Sequence, residues 1–87
     1  MGHGKQEHPK RLTEKLIRIR TKLGLSQTEM ARALEKQGVK AYPGYVARYE
    51  TGDRVPGLLT TGAYAEIAGI SADKLINDKL DLPAKYK

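Results

Sequence analysis

Leu12, Leu16, Ile19 and Leu23 recur at intervals of four, three and four residues, which is one apolar stripe along an α-helix. Lys15, Arg18 and Lys22 lie off that stripe and are expected in water or against a partner. Pro9 stands just ahead of this helix, where its missing N–H does no harm, and Gly24 just after it, where a left-handed residue ends a helix. A second helix follows at once. Ser26-Gln27-Thr28-Glu29 has the form of a capping box, and Leu25 before the cap can staple to Met30. Met30, Ala31 and Leu34 make its inward face, and Gly38 stops it after Gln37.

Pro43 fits the first turn of a third helix, in which Val46 and Tyr49 point inward and Gly52 is the stop. A fourth helix is expected from Pro56 to about Ala68, with Leu58, Leu59, Ala63, Tyr64 and Ile67 as its apolar positions and Gly69 as its end. Ser71 is placed to cap a short fifth helix carrying Leu75 and Ile76, and Leu80, Leu82 and Pro83 then run out as an extended tail. No stretch alternates as a strand does. The pattern predicts an all-α chain, a compact bundle of five short helices around one small core.

The 87 residues allow a single domain. The longest apolar run is far short of the roughly 20 residues that span a bilayer, so no membrane contact is expected. Cysteine is absent, which excludes disulfides, thiolate metal sites and thiol catalysis. There are two serines, Ser26 and Ser71, and two histidines, His3 and His8. Both histidines fall in the Gly- and Lys-rich residues 1–9, read as a flexible basic tail. Two histidines without a third ligand on a rigid element make a poor metal site. No catalytic constellation, metal site or cofactor is expected. The N-terminus lacks the apolar core of a secretory signal, which leaves the cytoplasm as the expected compartment.

The net charge of +6 is uneven. Residues 1–22 carry seven basic and two acidic side chains, whereas residues 55–82 carry two basic and four acidic ones. A basic N-terminal third points to an anionic partner, and nucleic acid is the usual one for a domain of this size.

The ordered set Gly24-Leu25-Ser26-Gln27-Thr28-Glu29-Met30-Ala31, then Val46-Ala47-Arg48-Tyr49-Glu50-Thr51-Gly52, resembles the lambda-repressor/Cro-like helix-turn-helix family, also called the xenobiotic-response-element family. Leu58, Tyr64-Ala65, Ala68-Gly69-Ile70-Ser71 and Leu75-Ile76 fall where that family places its fourth and fifth helices. The resemblance covers about Leu12 to Ile76. It implies a helix-turn-helix DNA-binding domain over residues 10–78 and a transcriptional regulator. The expected form is a repressor bound as a homodimer to a pseudo-palindromic operator in double-stranded DNA. It also leaves a second class open. Similar domains serve as antitoxins that bind a toxin and repress their own operon, although nothing in the sequence marks a toxin-binding element.

Site residues follow from the helical wheel and from the resemblance together. With Val46 inward and about 100° per residue, Tyr42, Tyr49 and Glu50 stay on the inward side of the third helix. Gly44 and Arg48 point outward, flanked by Tyr45 and Ala47. These four are the candidate base-reading face, with Arg48 able to clasp guanine O6 and N7 together. Tyr45 can stack on sugar, touch a thymine methyl, donate to phosphate, or simply pack. Gln27, on the first turn of a capped helix, is the candidate phosphate ligand of the second helix. Lys36, Lys40, Tyr42 and Arg54 are the further phosphate candidates. Arg20 and Glu50 occupy positions that form a partly buried ion pair in similar repressors. The expected dimer surface is Ile70, Leu75, Ile76, Leu80 and Leu82, with residues 79–87 as a tail that can join it.

Three departures from the family pattern stand out. The stretch from Leu34 to Val46 is several residues longer than the usual turn. Pro43-Gly44 removes two positions that often read bases. Thr61 and Gly62 replace large apolar residues in the fourth helix, where a glycine costs about 1 kcal/mol relative to alanine and softness is expected.

Overall fold

The computed structural model describes residues 10–83; His3, His8, Pro9 and the basic tail of residues 1–9 lie outside them, as do residues 84–87. The described residues form five helices and no strand: α1 Leu12–Lys22, α2 Gln27–Lys36, α3 Pro43–Thr51, α4 Leu58–Ala68 and α5 Asp73–Ile76. None of these helices is long and apolar enough to cross a membrane.

The helix boundaries follow the capping chemistry. Ser26 Oγ accepts from the Glu29 N–H at 3.0 Å while the Glu29 carboxylate accepts from the Ser26 N–H at 2.8 Å. The Ser26 N–H first, and the Ser26 side chain after it, hold the Glu29 carboxyl below its ordinary range. Pro43 takes the first position of α3 behind an extended Tyr42. Gly52 and Gly69 adopt the left-handed conformation that turns the chain out of α3 and α4. Leu12, Leu16, Ile19, Met30, Leu34, Val46, Tyr49, Tyr64 and Leu75 close into one core. Ala31 is buried at the α2 crossing, where a small residue lets axes approach.

Four expectations are corrected. α4 begins at Leu58, not Pro56, with Gly57 as its N-cap. Leu58 and Leu59 are not buried on it but stand out in solvent. Ser71 does not cap α5, because Ala72 holds that position and the Ser71 hydroxyl donates to the Asp73 carboxylate instead. Lys15 is not in water. It is fully buried, and its Nζ donates to the carbonyls of Lys74 at 2.7 Å, Asn77 at 3.0 Å and Leu80 at 2.7 Å.

That lysine is half of a two-way clasp. Asp78, two residues beyond α5, accepts from the backbone N–H groups of Lys10 at 2.8 Å and Arg11 at 3.0 Å, just ahead of α1. The Arg11 guanidinium meets the Asp81 carboxylate at 2.7 Å. The start of α1 thus supplies cations to carbonyls of α5 and of the segment after it and to the Asp81 carboxylate, and that segment supplies an anion to the start of α1. Leu82 seats the tail in the core.

Candidate nucleic-acid interface

Helix α3 presents its outward face as the wheel requires. Val46, Tyr49 and Glu50 are buried, Gly44 and Arg48 are exposed, and Tyr45 and Ala47 are half-buried on the flanks. A Cβ placed on Gly44 would meet nothing within 4 Å, so the helix can approach another surface closely there. Arg48 has no ion pair among the described residues, and no side chain from Gly44 or Ala47 stands over it. The arrangement offers one long fork of N–H donors on a bare helical surface, a geometry that suits the paired acceptors of a base edge.

Behind that face lies a fixed charge network. Arg20 on α1 donates through Nε to Glu50 Oε2 at 2.6 Å and through Nη2 to Oε1 at 3.0 Å. Its Nη1 donates to the Leu25 carbonyl at 2.9 Å, at the junction of α1 and α2. Gln27 Nε2 reaches the same Glu50 carboxylate at 3.2 Å. The Glu50 bonds raise the Arg20 pKa above its ordinary value. Three helices are therefore tied at one point on the inner side of α3.

Gln27, the candidate phosphate ligand of α2, has one amide hydrogen turned inward to Glu50, and the other remains for an outside acceptor. The Gln27 and Thr28 backbone N–H groups are first-turn donors that the capping box leaves open.

The aromatic side of α3 was only partly legible. Tyr42 is not inward. It lies outside the helix in an extended conformation, where the wheel does not apply, and is 48% exposed. Its ring meets Tyr45 edge-on at 5.1 Å, and Tyr45 in turn lies 6.5 Å from Tyr49. The Arg54 guanidinium sits over the Tyr45 ring, 4.4 Å from its centroid, a contact that orients a cation at modest energetic gain. Lys40, Tyr45, Tyr49 and Arg54 border one shallow recess whose lining contains no acid. Tyr45 is thus a platform for Arg54. The structure gathers Tyr42, Tyr45, Lys40 and Arg54 at one edge of α3, whereas Lys36 is exposed near the end of α2 and borders no part of the recess. Residues 37–42, the long connection, bury Ala41 and half-bury Val39 beside that recess.

The basic N-terminal third is less available than its charge count implies. Arg11, Lys15 and Arg20 are engaged with carboxylates or carbonyls of their own chain, and Arg18 pairs with Glu14 at 3.5 Å. Lys10 and Lys22 are exposed without an ion pair among the described residues. Lys40, Arg48 and Arg54, on α3 and the connections on either side of it, are exposed without an ion pair among the described residues.

The expected dimer surface at the C-terminal end is corrected as well. Leu75 and Leu82 are buried in the core of a single chain, and Ile70 and Leu80 are half-buried. Of that set only Ile76 is exposed. Two residues already packed inside one chain cannot also face a second copy.

No protein-family model matches the chain, and no curated protein matches it.

Proposed function

We propose that the chain is a sequence-specific double-stranded DNA-binding regulator of the lambda-repressor-like helix-turn-helix type, acting as a repressor in pairs of identical copies, with α3 in the major groove. The observation that carries this reading is the outward face of α3: Arg48 rises between Gly44 and Ala47 on a helix whose inner side is tied to α1 and α2 through Glu50. A rigidly held helix with a bare surface and one bidentate donor is suited to base edges. The acid-free recess with Lys40 and Arg54 supplies backbone-phosphate contacts beside it, and the first turn of α2 supplies further N–H donors. In this reading Arg48 selects a base while Lys40, Arg54 and Gln27 hold the duplex in register.

Duplex binding measured against salt tests the reading. Several phosphate contacts per copy predict a loss of roughly three orders of magnitude in affinity between about 50 and 200 mM monovalent salt. A flat dependence, or no duplex binding at low salt, contradicts it.

A further inference from the structure

The exposed face of α4 has an unusual composition. Leu58 is 84% exposed and Leu59 77%, with Val55 40% exposed just before them. Single exposed apolar residues need no explanation, but neighbouring ones mark contact surfaces. Gly62 follows on the same face, one turn beyond both leucines. Glycine is a poor choice inside a helix, and nothing in its own chain calls for it. Its φ is not positive, and a Cβ there would meet nothing within 4 Å. Its effect is to leave a slot beside Leu58 and Leu59, at the edge of a groove that Val39 and Ala63 also line.

The same stripe is polarised. Glu66, one turn past Gly62, is exposed, and its carboxylate has no ion pair among the described residues. At the other end, Gly57 gives α4 no side-chain cap and the first turn holds no acid, so the positive end of the helix dipole is unanswered. Knob, slot, positive end and negative end therefore all lie on one strip. Such a strip is complementary to itself when reversed, as a two-fold contact requires.

We propose that α4 forms the two-fold contact between two copies of this chain, crossing antiparallel at Gly62. At such a crossing the two glycines face each other, Leu59 of each copy packs beside the partner's Gly62, and Glu66 of each lies beside the partner's Leu58 at the N-terminal end of its α4. This deepens the paired-copy reading above by giving it a surface, and it does not depend on DNA being the ligand. A different protein would need its own slot and its own acid to fit this strip, whereas a second copy brings both.

Sedimentation of the full chain without DNA tests the proposal, together with Leu58→Glu and Gly62→Ala. The wild-type chain is expected to dimerise with a dissociation constant at or below roughly ten micromolar. Leu58→Glu is expected to be a monomer with an unchanged helical circular-dichroism spectrum. Gly62→Ala is the sharper variant, because added helix propensity opposes lost contact. Its thermal midpoint at a concentration where both chains are monomeric stays the same or rises, while its dimer dissociation constant increases about tenfold or more as the methyl group holds the axes apart. A wild-type chain that stays monomeric at several hundred micromolar overturns both this surface and the paired-copy reading. A wild-type dimer that Gly62→Ala leaves equally tight overturns this surface alone, even if Leu58→Glu fails to fold.

Discussion

Arg20 and Glu50, 30 positions apart in sequence, are joined by two hydrogen bonds of 2.6 and 3.0 Å, with side-chain exposures of 18% and 7%. The pair fastens the end of α3 to α1, and Gln27 adds α2 to the same carboxylate. Glu50→Gln leaves the Arg20 charge partly buried without its counter-ion. Allowing for the residual exposure of Arg20, this should cost about 2–3 kcal/mol, between the values for exposed and buried pairs. Urea unfolding measures the cost, and a loss below about 0.5 kcal/mol would show that the pair does not fasten the helix.

Lys15 should matter as much, for a different reason. Lys15→Met leaves the carbonyls of Lys74, Asn77 and Leu80 without their donor. Stranding part-buried acceptors predicts a loss of roughly 1–3 kcal/mol. Lys15→Arg should not restore stability, because a planar guanidinium cannot point donors at three carbonyls gathered around one nitrogen. Urea midpoints of the two variants check this, and a wild-type midpoint for either contradicts the clasp.

Acid should loosen the same clasp. Backbone N–H groups of Arg11 and Lys10 hold the Asp78 carboxyl below its ordinary value of 3.8, and the Arg11 guanidinium does the same for Asp81. Both anions are favoured by folding. Their contribution is therefore fully present above the unfolded pKa and disappears as pH falls through the lower folded values. Thermal midpoints should decline below about pH 4. Asp78→Asn should start lower at neutral pH and decline less steeply, and an acid profile identical to the wild type would contradict the role of Asp78.

The physical signals in the sequence separate what was legible from what was not. Helices α1 to α3 were readable because caps and stops bracket clear stripes: Ser26 with Glu29, Pro43 behind Tyr42, Gly52 after Thr51. The outward position of Arg48 followed from the same wheel. Lys15 is not legible from residue type, because lysine is polar, although its spacing from Leu12, Leu16 and Ile19 sets it on the buried stripe. Helix α4 is apolar on all sides, so periodicity could not choose between burying Leu58 and Leu59 and exposing them. Tyr42 escapes the helical wheel because α3 begins one residue after it. The stacking of Arg54 on Tyr45 spans a helix end and a turn, and no spacing rule covers it.

Arg48 and Arg54 should fail differently when removed. Arg48→Ala is expected to weaken operator binding by about 1–3 kcal/mol and to relax preference at one position of each half-site, a guanine. Arg54→Ala removes a cation that Tyr45 holds beside the helix. It should weaken all duplexes nearly alike and reduce the salt slope by about one unit per copy. Affinities of both variants across a panel of single-base operator changes separate the two behaviours. A specificity change confined to Arg54→Ala would reverse the assignments.

Selection of binding sites from a pool of random duplexes by the wild-type chain tests the central claim most directly. If α3 reads base edges in paired copies, successive rounds should enrich one short motif repeated with two-fold symmetry, its half-sites about one or a whole number of helical turns apart and each containing a guanine. A pool that binds but stays random in sequence, or one that is not retained at all, would contradict a sequence-reading role for the α3 face.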